Sequence, residues 1–278
     1  MYDYPRLDME MAELAEAEAM FRFESGARAE VRAALGIECA RLGGGVVLSM
    51  RDDPTGYWSK ALGFGFAEPV TAELIKEICE FYRSRAVPMA VLQLAPWVLP
   101  TDWEQICAEH GLAAGPPWVK LVRDLPGWTR IPEPGLRVER VDEREARRWA
   151  SVLMRGFGMP QGPLVEMAAA AVGRPGFHAY AIRFDGKVTA SAGMYVDGDV
   201  AQLFGAATLP SHRRRGAQSA LLRARIRDAW ALGCRLMFAE TAGEQAGAHN
   251  SSLHNMLKAG FERLYVRQNW TWQRSPAG

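Results

Sequence analysis

The sequence predicts a mixed α/β (α+β) protein in which a mostly antiparallel central sheet flanked by helices occurs twice, in two similar tandem domains. Three observations carry this. Strand-like runs at Phe177 to Phe184, Val188 to Val196 and Val200 to Leu209 are separated by Asp185-Gly186 and Asp197-Gly198, dipeptides that supply the positive φ of tight hairpin turns. An order of elements also repeats: Phe66 to Leu94 and Phe204 to Ala239 both read strand, helix, strand. Each is followed by a short helix ending in Gly plus an apolar residue (Gly111-Leu112, Gly260-Phe261) and a last strand rich in aromatic and basic residues. Between the copies, Pro126, Pro132 and Pro134 with Gly127 and Gly135 remove backbone donors and disfavour helix. Residues 1–125 are therefore expected to form one domain, 126–135 a linker and 136–278 a second domain.

In the first half, an acidic helical stretch from about Met9 to Leu35 leads into apolar segments at Ile37 to Met50 and Ser59 to Phe66. A helix over Thr71 to Arg85 sets Leu74, Ile78 and Phe81 on one face. A strand at Met89 to Leu94, a short helix at Asp102 to His110 and a strand near Trp118 to Val122 follow. In the second half, a strand at Leu136 to Val141 and helices at Glu143 to Phe157 and Pro163 to Val172 precede the meander. After it come a helix from Gly216 to Leu232 closed by Gly233, a buried-type strand at Arg235 to Ala239, a helix at Ser251 to Ala259, and one long strand from Phe261 to Trp272.

Composition excludes several classes. With 33 Lys+Arg against 32 Asp+Glu the net charge is +1, so no global field draws the chain to nucleic acid or an anionic membrane. No apolar run approaches a bilayer span, and the acidic N-terminus lacks the pattern of a secretory signal; a cytoplasmic protein is expected, as monomer or homodimer. Cys39, Cys79, Cys107 and Cys234 stand singly, which argues for buried free thiols rather than zinc or disulfides. No metal is expected.

The chemistry concentrates in one segment. A strand that runs into Arg213-Arg214-Arg215-Gly216-Ala217-Gln218-Ser219 and then a helix gathers backbone N–H groups, the positive end of a helix dipole and guanidinium groups around one point, an anion site. Gly216 allows close main-chain approach to a diphosphate, and small Ala217 and Ser219 keep the first turn open. Taken alone, three arginines are equally a solvated basic turn. The corresponding place in the first half carries Glu68 instead, which would repel such a ligand.

This stretch resembles the pyrophosphate loop of the GNAT superfamily of N-acetyltransferases, [Q/R]-x-x-G-x-[G/A], with Arg213, Gly216 and Gln218 on the motif positions; Gln218 departs from the usual small residue. The resemblance covers about 135 residues and implies acetyl-CoA as cofactor. It also implies pantetheine inserted between the fourth and fifth strands, with main-chain contacts along Ala206, Ala207, Thr208 and Leu209, and Glu240 facing the reaction centre. Asn250 or Asn255 takes the cofactor-binding Asn role. The family's Tyr four residues before the Gly of Gly260-Phe261 is replaced by Met256, so the proton source for the thiolate has no assigned residue; Tyr265 and Tyr195 are candidates. Glu240 is the expected base or water-ordering group. His249, His254, His178 and His212 read better as surface histidines. The first half resembles a degenerate copy without the cofactor motif. Three activities follow as expectations: acetylation of a small-molecule amine, acetylation of a peptide or protein terminus, or CoA binding without catalysis.

Overall fold

The structure is a computed structural model and describes residues 6–127, 135–244 and 250–274. Helices α1 (Arg6–Ser25) and α2 (Ala29–Leu35) open the chain, the acidic stretch breaking at Gly26. Strands β1 (Ile37–Leu42) and β2 (Gly45–Met50) form a hairpin paired from Ile37↔Met50 to Leu42↔Gly45. Next come β3 (Lys60–Leu62), α3 (Ala72–Ser84), β4 (Met89–Gln93), α4 (Trp103–His110), β5 (Leu112–Ala114) and β6 (Trp118–Asp124). The Thr71 hydroxyl accepts from Leu74 N and caps α3, and Gly111, the expected end of α4, closes it in the left-handed region at φ 68°.

The second half begins with β7 (Val138–Arg140), α5 (Ala146–Phe157) and α6 (Pro163–Ala169). The meander β8 (Phe177–Phe184), β9 (Lys187–Asp197) and β10 (Val200–Thr208) follows. The chain then runs through α7 (Ala217–Ala231), β11 (Leu236–Ala242), α8 (Ser251–Lys258), β12 (Glu262–Arg267) and β13 (Asn269–Gln273). The expected single C-terminal strand is thus two, parted at Gln268. Most of the expected linker, residues 128–134, lies outside the described residues.

Two mostly antiparallel sheets result. One has six strands in the order β1-β2-β3-β4-β13-β5, the other seven in the order β12-β6-β11-β10-β9-β8-β7. The expected division at the linker needs correcting, because the last strand of each half is in the sheet of the other. β13 pairs antiparallel with both β4 and β5, from Asn269↔Gln93 and from Trp270↔Ala114, while β6 stands between β12 and β11. Accordingly the first compact unit combines the chain through Ser25, Ala29–Val119 and the chain from Tyr265 onward; the second combines Gly26–Arg28 with Lys120–Leu264.

In the first unit, α3 and α4 pack Ile75, Ile78, Tyr82 and Ile106 against Val47, Ala61, Leu92 and Trp272, so β13 contributes to the core as well as to the ladder. Arg267, at the end of β12, is fully buried and pairs with Glu13 Oε2 at 2.6 Å and Glu16 Oε2 at 2.8 Å, both on α1. A buried guanidinium would be costly without such partners. Glu24 is fully buried too, and among the described residues neither of its oxygens meets a hydrogen-bond donor. Burial raises its carboxyl well above the ordinary range, and the Lys60 ammonium offsets part of this.

Two predictions follow from this unit. Truncation after Arg267 removes the strand between β4 and β5, and should abolish the cooperative thermal transition of the first unit followed by circular dichroism; an unchanged melting temperature would show β13 to be dispensable. Native Glu24 keeps its proton at pH values where the unfolded chain has lost it. Its contribution to stability is thus complete below the unfolded carboxylate range and declines as pH rises toward the folded value. Glu24→Gln, which cannot ionise, should match the wild type near about pH 4 and melt progressively higher than it toward about pH 8. A gap in melting temperature that does not widen with pH rules this out.

Candidate active site

The second sheet opens where the sequence expects a cofactor. β10 and β11 pair in parallel only through Val200↔Leu236, Ala201↔Met237 and Gln202↔Phe238. β10 continues to Thr208 against β9 alone, with a register shift between Phe204 and Ala206. The main chain of β10 past this bulge is therefore paired on one side. Leu209 N donates to Thr189 O at 2.9 Å. By the alternation of an antiparallel ladder, Ala207 also faces β9, and Ala206 and Thr208 face the opening. This corrects the expected contact set, since Ala207 and Leu209 spend their main-chain groups on β9. Ala207 is buried, and a Cβ on Gly156 of α5 would come within 2.5 Å of its own Cβ; the glycine permits α5 to lie directly on β10.

Past β10 the chain turns through Pro210–His212 into the basic loop. Arg213 is exposed but already has main-chain partners. Its Nε donates to Thr208 O at 3.2 Å and its Nη2 to Gly156 O at 2.8 Å, tying the end of β10 to α5. Arg214 adopts φ 61°, unusual for a residue with a Cβ, and its side chain is exposed, as is that of Arg215. The Arg215 guanidinium lies 5.2 Å from the centre of the Phe184 ring.

Gly216 begins α7 at φ 82° and no side chain caps the helix; the space its Cβ would occupy is open. First-turn N–H groups without a side-chain cap, beside two exposed arginines, suit a diphosphate. Arg225, buried on α7, anchors this helix by donating Nη1 to Gly193 O at 3.1 Å, opposite Phe204 at the bulge; burial brings its pKa down to about 10.

Gln218, the residue that departs from the motif, has a visible role. Its Nε2 donates to Ser252 Oγ at 3.0 Å and its Oε1 accepts from Asn255 Nδ2 at 2.9 Å, joining α7 to α8. Asn255 thus positions Gln218. The Asn250 Oδ1 accepts from Ser252 N and Leu253 N and caps α8, while its Nδ2 donates to Thr241 Oγ1 and Ala242 O at the end of β11. Ser219 is half-buried and Ala217 buried in the first turn of α7.

Glu240 is on β11 with its side chain 16% exposed. Its Oε2 accepts from Gln202 Nε2 at 2.7 Å and lies 3.7 Å from Nζ of Lys120, which is completely buried. Neither neighbour stood out in the sequence. Lys120 is a lone charge inside the apolar run Trp118 to Val122, and a cation there signals a buried partner.

Tyr265 is a correction. Its hydroxyl donates to Glu13 Oε1 at 2.5 Å, its ring meets Trp97 edge-on, and it belongs to the first unit. Burial, reinforced by Glu13, pushes its pKa well above that of a free phenol, so it is a poor proton donor and leaves the catalytic set. Tyr195 is buried in the β9 ladder. His254 Nδ1 lies 3.1 Å from Asn250 O; His249 is outside the described residues. Cys79, Cys107 and Cys234 are buried thiols whose pKa values burial raises, whereas Cys39 is only half-buried. Among the described residues, no three His, Cys, Asp or Glu side chains could hold a metal, and no helix is long and apolar enough to cross a membrane.

Residues 145–261 match the family model for the acetyltransferase (GNAT) family. Whole-chain comparison shows the same fold. A GCN5-related N-acetyltransferase from Kribbella flavida aligns with TM-score 0.60 at 19% identity over 96% of both chains. Another from Sphaerobacter thermophilus aligns at 0.60 and 14% identity over 100% of this chain and 96% of that one. A tandem GNAT protein from the clavulanic acid biosynthesis pathway aligns at 0.54 and 17% identity over 97% and 95%. A sequence search of curated proteins found no match.

Tyr265→Phe tests the correction. It should leave the rate of thiol release from acetyl-CoA unchanged while costing about 1–3 kcal/mol of stability, because Glu13 loses a buried donor. A fall in kcat without a fall in melting temperature would return Tyr265 to the catalytic set.

Proposed function

We propose that this chain is an acetyl-CoA-dependent N-acetyltransferase that moves an acetyl group to a primary amine of a small molecule by direct attack, without an acyl-enzyme. The observation that carries the reading is the opening of β10 from β11 after Gln202↔Phe238, leading into a helix whose first turn has no side-chain cap. The main-chain groups of Ala206 and the N–H of Thr208 offer pairing to an extended amide chain, the Thr208 carbonyl already accepting from Arg213. The N–H groups of Ala217, Gln218 and Ser219, with the Arg214 and Arg215 guanidinium groups, offer a diphosphate cradle. When bound, acetyl-CoA supplies the acetyl group as a thioester.

On the acceptor side, Glu240 is the group placed to take or relay the amine proton, and Gln202 orients it. The demand on that base depends on the acceptor. A lysine-like amine costs about 4.6 kcal/mol to deprotonate at pH 7 and an α-amine near 8 only about 1.4.

Calorimetry with CoA and with acetyl-CoA tests the cofactor reading, and the absence of binding to either ends it. Thiol release from acetyl-CoA across a panel of small amines and peptide N-termini then tests the acceptor class. Glu240→Gln should lower kcat on the best small amine by about 10²- to 10⁴-fold, the usual worth of a positioned base. Turnover confined to peptides favours a peptide N-acetyltransferase, and tight CoA binding with no turnover favours a sensor.

A further inference from the structure

Three adjacent strands bring Lys120 (β6), Glu240 (β11) and Gln202 (β10) into one row, in the order in which those strands lie in the second sheet. Two contacts fall on the same oxygen of Glu240: Gln202 Nε2 at 2.7 Å and Lys120 Nζ at 3.7 Å. Side-chain exposure of Lys120 is 0% and of Glu240 16%, so the ammonium is inside the sheet's packing and the carboxylate is the member that reaches a surface. An apolar residue would complete the run Trp-Val-Lys-Leu-Val without desolvating a charge. Pairs of this kind are not a general source of stability, since replacing both members by apolar groups is often neutral or better. What an ammonium does supply is a fixed counter-charge, which favours the ionised carboxylate.

We propose that Lys120 is a positioning residue for Glu240: its buried ammonium, with the Gln202 amide, holds the carboxylate in one orientation on β11. Because β6 comes from the first half of the chain, that half supplies part of the acyl-transfer site although it lacks a cofactor loop of its own. The inference rests on the reading of Glu240 given under the proposed function.

The test uses the full chain with Lys120→Gln, Lys120→Arg, Glu240→Gln and the Lys120→Gln/Glu240→Gln double variant. Thiol release from acetyl-CoA is followed with the fastest amine of the panel. Lys120→Gln should lower kcat by about tenfold or more, as a misplaced catalytic group does, with CoA affinity by calorimetry changed less than about twofold. Lys120→Arg should recover most of the loss, and Lys120→Gln should add nothing once Glu240 is already Gln. Equal losses in both backgrounds, or an arginine variant no better than glutamine, overturn the proposal. Should no amine turn over, the acetyltransferase reading fails separately, and the pairing is read from the ¹³C-carboxyl resonance of Glu240, assigned by its loss in Glu240→Gln. A resonance that moves in Lys120→Gln and returns in Lys120→Arg supports the proposal; one that stays in place in all variants sinks it.

Discussion

Beyond Gln202 the main chain of β10 has a strand partner on one side only, and an unpaired strand edge inside a sheet must find donors and acceptors elsewhere. The rest of the candidate site is arranged around that edge. The bulge at Phe204/Ala206 turns β10 away from β11, Arg225 holds α7 against β9 opposite the bulge, and Arg213 ties the last residue of β10 to α5. Through these contacts the first turn of α7 is held at the end of an open strand edge. An extended amide chain could pair along the edge while its anionic end meets the helix.

The crossing of the terminal strands has consequences for both units. β13 is an interior strand of the first sheet and β6 of the second, so neither sheet can be completed by its own half of the chain. Burial of Arg267 between Glu13 and Glu16 fixes where the chain leaves β12. In the other direction β6 carries Lys120 to Glu240 and lets Arg123 donate to Ala259 O at the end of α8. A half without the basic Arg213–Gly216 loop is in this way tied structurally to the half that has it.

Legibility in the sequence followed the range of the interactions. The hairpin turns at Asp185-Gly186 and Asp197-Gly198, the helix end at Gly111 and the Gly216 loop were readable, because each depends on residues within a turn of one another. The break at Gly26 and the parting of β12 from β13 at Gln268 were missed, since periodicity runs through both. At the site, the sequence marked the loop and Glu240 but attributed to Arg213 and Asn250 a ligand role, where the structure shows a clip and a helix cap. The reason is that a guanidinium or amide suited to a phosphate is equally suited to a carbonyl.

Read alone, then, the chain determined its element types, its duplication and the place of the basic loop before α7, all written in local spacing and turn chemistry. Tertiary structure alone decided which sheet receives each final strand, that Tyr265 faces Glu13 across 252 residues of sequence, and that Lys120 stands beside Glu240. Those outcomes depend on the desolvation of charges that must find partners far along the chain, and nothing in the local pattern around any of these residues names its partner.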